Sequence, residues 1–546
     1  MNQNQIDLNF NQNEDQAKLE LSKIQKLLDK IEEGGGIKKL EAQRAEGKLT
    51  ARERIAYLLD TDSPCFEIGA FAGFEMYEEY GGCPAGGVIV VIGYIHRKPC
   101  ILVANDATVK AGAWFPITGK KNLRAQEIAL ENHIPIIYLV DSAGVFLPMQ
   151  DEIFPDKEHF GRIFRNNAIL SAKGIPQIAA VMGSCVAGGA YLPIMSDEAL
   201  IVEKSGSIFL AGPYLVKAAI GEEVDQETLG GASTHCEISG VTDYKVKDDK
   251  SCLDTIRNLV DKINLKPQEN YDFTQAIPPK INAKEVLGIY PSANQKPYSM
   301  AKILECIVDD SSLLYYKEEY GKTILCAYAR IGGYAVGIVA NDRRIVKSAK
   351  GEMQMGGVIY SDSADKASRF ILNCNQKRIP LIFFHDVTGF MVGTRSEHGG
   401  IIKDGAKMVN AVANSTVPKL SIVVGNSYGA GNYAMCGKAY DPRFILAWPS
   451  AKIAVMGGAQ AAKVLTQIQI SALKAKGQIP DAEGEKKLFD QTNEKYQKQT
   501  TASYAAARLW VDAIIDPVKT RDWIIMGLEV SKFNSIESFK TGVIQT

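Results

Sequence analysis

Short apolar runs alternate with longer segments of helical spacing through the first half of the chain. The apolar runs are rich in β-branched residues and cover 88–95, 100–104, 136–140 and 178–182. Runs of this length and composition are typical of buried strands. The intervening segments 120–131 and 162–172 carry apolar residues at helical spacing. This alternation predicts an α/β fold.

The N-terminal region has a different pattern, which is charged and helical. Apolar residues recur at helical spacing between 15 and 33, and three glycines follow at 34–36. Glycines at that position are typical of a helix end. Thr50 and Glu53 have the spacing of a capping box, which predicts the start of a short helix. We therefore expect residues 1–66 to form a helical arm.

The second half of the chain repeats landmarks of the first half in the same order. The segment 175–191 aligns without a gap with 417–433. In each half an Ile-Pro pair also leads into a strand-like run that ends in an aspartate, Asp141 or Asp386. A shared order of landmarks indicates an internal duplication rather than chance. The sequence therefore predicts two tandem copies of one α/β domain.

Composition suggests where one copy ends and the next begins. The segment 265–297 is rich in Pro, Asn, Gln and Lys, which is typical of a linker. We therefore expect a first domain at 67–264 and a second at 298–546.

Charge and composition exclude several functional classes. The chain has 546 residues and a formal net charge of −1, which argues against nucleic acid or an anionic membrane as the main partner. Its longest apolar stretch is interrupted by Pro and Gly, and the first ten residues carry no Lys or Arg. We expect no membrane span or export signal, and a cytoplasmic location in a bacterium. Ten cysteines and six histidines lack metal-ligand spacing, so no metal site is predicted.

Each copy places a turn of small residues directly after a strand-like run. The turns consist of Ala187, Gly188 and Gly189 in the first copy and Gly429, Ala430 and Gly431 in the second. Residues with so little side chain leave backbone N–H groups open at a helix start, where they can bind an oxyanion. One such donor typically lowers a reaction barrier by about 3 kcal/mol. The turns are therefore the candidate sites.

The second turn also contains a formal Gly-x-Ser-x-Gly motif centred on Ser427. In an α/β-hydrolase the catalytic histidine follows the serine in the chain, but the last histidine here is His398. A phosphate-binding loop fails because 400–407 lacks the Gly-Lys-Ser/Thr ending. A Rossmann motif fails because the glycine clusters come late in each half. Two oxyanion turns without an assigned nucleophile suit chemistry in which the protein stabilises enolates.

Several longer motifs carry a resemblance to one family. They are Gly-Lys-Leu-Thr-Ala-Arg-Glu-Arg-Ile from 47, Ala-Asn-Asp-Ala-Thr-Val-Lys from 104, His-Phe-Gly-Arg-Ile-Phe from 159, Lys-Asp-Gly-Ala-Lys-Met-Val from 403 and Ser-Tyr-Gly-Ala-Gly-Asn-Tyr-Ala-Met-Cys-Gly from 427. With these motifs the chain resembles the carboxyltransferase β subunits of biotin-dependent acyl-CoA carboxylases. The resemblance covers residues 37–520 and is greatest to the 3-methylcrotonyl-CoA branch.

The resemblance implies a fold and a division of labour. The fold would be two tandem crotonase/ClpP-like domains of stacked ββα units. The first domain would bind the CoA ester, and the second domain of a neighbouring subunit would bind carboxybiotin. The cofactor would be carried by a separate α subunit that combines biotin carboxylase and biotin carrier. This chain itself would form a homo-oligomer, most simply a hexamer. No metal in this chain is implied.

The resemblance also assigns roles to individual residues. The 187–189 turn would donate N–H groups to the thioester enolate, and the 429–431 turn would donate them to the ureido oxygen of biotin. The expected substrate-binding residues are Trp114, Phe146 and Tyr191. The expected cofactor-binding residues are Tyr428, Asn432 and Tyr433. Lys120, Lys121 and Arg124 are possible ligands of the CoA phosphates, with a solvated helix face as the alternative.

The implied reaction is carboxyl transfer to 3-methylcrotonyl-CoA, giving 3-methylglutaconyl-CoA in leucine degradation. Ala143 and Trp114 depart from the family's usual pattern, so geranyl-CoA, propionyl-CoA or another acyl-CoA stays open as the substrate. From a different class, a crotonase-like hydratase or thioesterase would need a catalytic acid in the first domain, with Asp151 or Glu152 as candidates. A scaffold without activity would place bulky residues in the turns, and none are present.

Overall fold

The computed structural model describes residues 3–292, 296–348, 351–477 and 482–546. Its helices are α1 (Gln3–Glu32), α2 (Ile37–Ala45), α3 (Ala51–Leu58), α4 (Pro116–Asn132), α5 (Phe160–Ala172), α6 (Tyr191–Ile194), α7 (Pro213–Ile220), α8 (Gln226–Gly230), α9 (Asp249–Lys262), α10 (Val286–Ile289), α11 (Met300–Leu304), α12 (Ser361–Gln376), α13 (Thr394–His398), α14 (Ile401–Ala413), α15 (Gly429–Ala434), α16 (Gly458–Ala475), α17 (Ala482–Gln499), α18 (Ala502–Ala507) and α19 (Thr520–Ser531).

The strands of the first half are β1 (Phe66–Ile68), β2 (Val88–Ile95), β3 (Lys98–Asn105), β4 (Ile136–Ser142), β5 (Gln177–Val186), β6 (Glu198–Val202), β7 (Ser207–Phe209) and β8 (Tyr244–Val246). The strands of the second half are β9 (Leu314–Tyr315), β10 (Ile324–Ile331), β11 (Tyr334–Asn341), β12 (Val346–Lys347), β13 (Met353–Gln354), β14 (Val358–Ile359), β15 (Leu381–Val387), β16 (Gly389–Phe390), β17 (Lys419–Tyr428), β18 (Phe444–Ala447), β19 (Lys452–Ala454) and β20 (Ala513–Ile514).

The chain divides into two compact units. The first unit comprises Lys26–Gln268 with Ala506–Leu509, and the second comprises the other described residues. The domain boundaries drawn from the sequence stay predictions, and 293–295 of the predicted linker lie outside the described residues.

Each unit contains one large mixed sheet, and the two sheets have the same strand order. In the first unit the order is β1-β2-β3-β4-β5-β6-β8, with β7 paired to the end of β5. In the second unit it is β9-β10-β11-β15-β17-β18-β20, with β19 paired to the end of β17. In both, the first three strands pair antiparallel and the others pair parallel. The predicted α/β fold with an internal duplication is confirmed.

The N-terminal helix is longer than its periodicity predicts. The apolar pattern predicts 15–33, whereas α1 begins at Gln3. Its additional turns pack on α10, where the ring of Phe10 fills the space that a Cβ of Gly288 would need. Asn13 also donates from Nδ2 to the Gly288 carbonyl at 2.9 Å. Tertiary contacts therefore extend the helix beyond its amphipathic part.

The capping box predicted for the next charged segment is present at the start of α3. The Glu53 amide donates to Thr50 Oγ1 at 3.3 Å, and the Thr50 amide donates to a Glu53 carboxylate oxygen at 2.8 Å. Two of the unpaired amides of the first helical turn are thereby satisfied.

Candidate functional site

The two predicted turns occupy equivalent places at the carboxyl ends of equivalent strands. β5 leads into the turn Ala187–Ala190 and then α6, and β17 leads into α15, which begins at Gly429. The first residue of each turn has left-handed backbone, with φ of 55° at Ala187 and 51° at Gly429. The amides that follow start a helical turn and have no carbonyl one turn earlier to which they could donate. They are therefore free to bind an oxyanion.

Ala187 holds a conformation that costs alanine about 1–2 kcal/mol. We expect Ala187→Gly to relieve this cost. Glycine also increases the conformational entropy of the unfolded chain, which offsets part of the gain, so the free energy of unfolding should rise by roughly 0.5 kcal/mol. Urea denaturation measures the change. The matched control is Ala190→Gly in the same turn, where φ is −62° and glycine should destabilise the protein. A less stable Ala187→Gly protein would show that the turn is not strained.

A buried aspartate lies beneath each turn and shapes the strand that carries it. Asp141 and Asp386 are the last residues but one of equivalent strands, and at each of them the register with the next strand shifts. A Cβ on Gly183 would lie 2.0 Å from the nearest oxygen of Asp141, and one on Gly425 would lie 2.5 Å from Asp386 Cγ. Glycine is therefore required at both places, and the irregular pairing sets the direction in which the strand enters its turn.

Each aspartate has polar partners that hold its carboxylate in place. Asp386 accepts from the Asn426 amide and from the Tyr298 hydroxyl, each at 2.9 Å, and Arg343 Nε lies 3.5 Å away. Asp141 lies 3.6 Å from the buried guanidinium of Arg54. Burial raises the pKa of both carboxyl groups, and the neighbouring arginines oppose that shift. The groups therefore act as internal anchors of the turns rather than as acids open to solvent.

Aromatic rings surround the first turn. The Phe160 ring lies against Gly188, where a Cβ would be 2.9 Å from its Cε1. Trp114, a predicted substrate-binding residue, is only 2% exposed and packs edge-on against Phe160 with ring centroids 5.0 Å apart. It therefore lies behind Phe160. Tyr191 is 49% exposed, and Phe146 is half-buried.

The three predicted cofactor-binding residues differ in exposure. Tyr433 is 49% exposed, whereas Tyr428 is 6% exposed, and burial raises the pKa of Tyr428 to about 12. Asn432 is half-buried, and its Nδ2 donates inward to Ser427 Oγ at 2.8 Å. Of the three side chains, Tyr433 is the one most accessible to a ligand.

Ser427 has a histidine partner that the order of residues in the chain does not reveal. His385 precedes it by 42 positions, and its Nδ1 lies 3.0 Å from Ser427 Oγ. Both side chains are completely buried, so the hydroxyl cannot reach a substrate. A hydrolase nucleophile at Ser427 is excluded by burial, although its histidine exists. The signal that could have pointed to this contact is that His385 and Ser427 both lie near the ends of apolar strand-like runs.

The second unit also contains an open cavity of about 710 Å³. The segment that follows β16 supplies part of its wall, including Met391, Val392 and Arg395. β16 itself adjoins the second turn, because a Cβ on Gly431 would lie 3.3 Å from the Gly389 Cα.

Residues 42–542 match the sequence profile of the family described as Carboxyl transferase domain. The chain belongs to this family. The resemblance to carboxyltransferase β subunits is therefore confirmed.

Similar proteins extend the family assignment over nearly the full chain. This carboxyl transferase chain is 48% identical to the methylcrotonoyl-CoA carboxylase beta chain, mitochondrial, of Dictyostelium discoideum, over 93% of this chain and 84% of that protein. It is 46% identical to the biotin-dependent 3-methylcrotonyl-coenzyme A carboxylase beta1 subunit of Mycobacterium tuberculosis, over 94% of each. The geranyl-CoA carboxylase beta subunit of P. aeruginosa is a structural neighbour, with 36% identity, a TM-score of 0.85 and 98% coverage of both chains.

Within its described residues, the carboxyl transferase chain has no helix that is both long and apolar enough to cross a bilayer. The same part of the chain has no cluster of three or more His, Cys, Asp or Glu side chains arranged to hold a metal ion.

Proposed function

We propose that this chain is the carboxyltransferase β subunit of a biotin-dependent 3-methylcrotonyl-CoA carboxylase. The observation that carries the proposal is the pair of equivalent small-residue turns, since a reaction with two enolates needs two oxyanion sites. Four relatives named for methylcrotonoyl-CoA or 3-methylcrotonyl-CoA are 44–48% identical to this chain. The structural neighbour named for geranyl-CoA is 36% identical, so 3-methylcrotonyl-CoA is the favoured substrate.

The first turn would act on the acyl-CoA. The amides of Ala187 and Gly188, with Gly189 adjoining, would donate to the thioester oxygen as the substrate loses a proton and that oxygen gains charge. In 3-methylcrotonyl-CoA the proton leaves the γ-carbon, and conjugation still places the charge on the thioester oxygen. Donors that the fold holds in place stabilise this charge without reorganising. Tyr191 and Phe146 would border the acyl chain, and Trp114 would support Phe160 behind it.

The second turn fits the ureido oxygen of biotin. It offers backbone N–H groups of Ala430 and Gly431, with Gly429 adjoining, in a cradle so narrow that a Cβ at Gly431 would collide with Val387. When bound, carboxybiotin supplies the carboxyl group and the base for the substrate proton. The chain's own part is to orient and polarise. Tyr433 would contact the ring from the solvent side, and Tyr428 would support the turn from within.

Other chains complete the proposed enzyme. Relatives of this chain are named beta chains or beta subunits, which supports a separate α subunit that carries biotin. We also propose a homo-oligomer, most simply a hexamer. Large apolar side chains are exposed on equivalent helices of both units, including Tyr214 and Ile220 on α7 and Ile468 on α16. Surfaces of this kind mark protein contacts. The cytoplasmic location stays a prediction.

A panel of acyl-CoA esters tests the proposal. The purified chain is combined with its biotin-bearing subunit, ATP and labelled bicarbonate, and fixed label is measured on 3-methylcrotonyl-, geranyl- and propionyl-CoA. We expect 3-methylcrotonyl-CoA to be carboxylated well above the others. Preference for a longer ester would keep the reaction and shift the acyl specificity to the aromatic residues around the first turn. Hydration or hydrolysis without biotin-dependent label would overturn the proposal.

A further inference from the structure

Three connected polar side chains lie beside the second turn, and the reaction proposed above uses none of them directly. Ser427 is the last residue but one of β17, and its Oγ lies between His385 Nδ1 at 3.0 Å and Asn432 Nδ2 at 2.8 Å. His385 belongs to β15 and Asn432 to α15. These contacts therefore join two strands of the sheet to the helix whose first residues form the turn.

We infer that His385, Ser427 and Asn432 are positioning residues that fix the backbone amides of 429–431 for the biotin side of the reaction. The inference rests on the proposed function for the identity of the ligand. It assigns Asn432 to the support of the turn rather than to direct contact with the cofactor.

The Asn432 end of this group has a fixed direction of proton donation. The amide nitrogen of Asn432 can only donate, so Ser427 Oγ accepts from it, and the serine hydroxyl proton is available for donation to His385 Nδ1. In this arrangement His385 is the neutral tautomer that carries its proton on Nε2. Burial lowers the pKa of His385 to about 3, so the ring stays neutral and orients its partners instead of transferring protons.

The amide of Asn432 is also confined from its other side. A Cβ on Gly437 would lie 1.9 Å from Asn432 Oδ1, so the glycine makes room for the amide. The Gly437 amide in turn donates to the Asn432 carbonyl at 2.8 Å. Asn432 therefore has one orientation, in which Nδ2 faces Ser427.

The first turn lacks this arrangement although it has the same backbone. By strand register, Val140 is the equivalent of His385 in the first unit, and Cys185 is the equivalent of Ser427. Ala190 takes the place of Asn432. The Cys185 Sγ contacts the Gly189 carbonyl at 3.4 Å. Since the fold forms without the polar group in one unit, the group serves the second turn and not the fold.

Four variants of the subunit, assembled with its biotin-bearing partner, test the inference: His385→Leu, His385→Gln, Asn432→Ala and the double variant His385→Leu/Asn432→Ala. We expect His385→Leu and Asn432→Ala each to lower kcat about 10- to 100-fold, because small displacements of oriented groups are costly. The KM for the acyl-CoA should change less than twofold. Glutamine at 385 keeps an acceptor and should restore most of kcat. The double variant should be no worse than the poorer single variant, because both act through Ser427.

The matched control is Ser421→Ala. Ser421 lies on the same strand, is fully buried and donates to the Cys436 carbonyl at 2.7 Å, so its loss should lower stability and leave kcat unchanged. Amide hydrogen exchange of the peptide 425–434, which excludes the Cys436 carbonyl that Ser421 contacts, gives a readout independent of activity. Exchange should be faster in His385→Leu and Asn432→Ala and unchanged in Ser421→Ala.

The outcomes separate the inference from the proposed function. Full kcat with unchanged exchange in Asn432→Ala, or additive losses in the double variant, would overturn the positioning role. If His385→Leu does not fold, Asn432→Ala on its half-exposed side chain still decides between these results. A wild-type enzyme that carboxylates no ester would reject the proposed function instead, and the exchange data would then decide the positioning role alone.

Discussion

Replacing Gly431 by alanine is expected to lower carboxylation about 100-fold without unfolding the protein. The new Cβ would lie 2.6 Å from Val387 Cγ2 and 3.3 Å from the Gly389 Cα, so the turn has to move. A displacement of about 1 Å from the productive geometry can cost 10²-fold in rate, and losing one oxyanion donor costs a similar factor. Initial rates with the biotin-bearing partner subunit measure the change.

Gly161→Ala is the control for this substitution. Gly161 lies on α5, and a Cβ there would meet no atom within 4 Å, so its rate should equal that of the wild type. A normal kcat for Gly431→Ala would show that the second turn takes no part in the reaction.

Gly425→Ala is expected to lower the free energy of unfolding by at least about 3 kcal/mol. The Cβ would lie within 2.5–2.7 Å of three atoms of the Asp386 carboxylate. Overpacking a core costs about 1–3 kcal/mol. Moving the carboxylate would also leave the buried donors on Asn426 and Tyr298 without an acceptor, at about 1–3 kcal/mol each. Thermal denaturation and the yield of soluble protein report the loss.

A double variant identifies the collision as the cause. Asp386→Ala removes the carboxylate, so Asp386→Ala/Gly425→Ala should cost less than the sum of the two single variants. Gly183→Ala in the first unit should repeat the effect, since its Cβ would lie 2.0–2.3 Å from atoms of the Asp141 carboxylate. Strict additivity in the double variant would mean that Gly425 is required for another reason.

Local pattern was sufficient to predict the strands but not their ends. The run 178–182 predicts the centre of β5, yet the strand continues to Val186. The residues between this run and Val186 are Gly, Ser and Cys, and glycine is depleted in strands. Pairing with β7 holds them extended. Helix α4 likewise begins at Pro116, four residues before the predicted start at 120, because proline suits the first helical turn.

The turns could be predicted from composition, because a run of small residues directly after a strand-like run is typical of a tight turn with open backbone amides. The side chains around them could not, since those contacts join distant parts of the chain. Lys121 lies on a helix with other charged residues, which suggests either a ligand of phosphate or a solvated face. It is instead completely buried and donates to the carbonyls of Ala85 and Val88. Trp114 is likewise buried behind Phe160.

Asp141 with Gly183 and Asp386 with Gly425 show that each turn takes its shape from its own half of the chain. The described contacts that fix the first turn come from residues of the first unit, and those that fix the second come from the second unit. A mutation that reshapes one turn therefore leaves the contacts of the other turn unchanged, and the two turns can evolve independently. If the two turns have the proposed roles, one copy can acquire a new acyl specificity while selection keeps the cofactor specificity of the other.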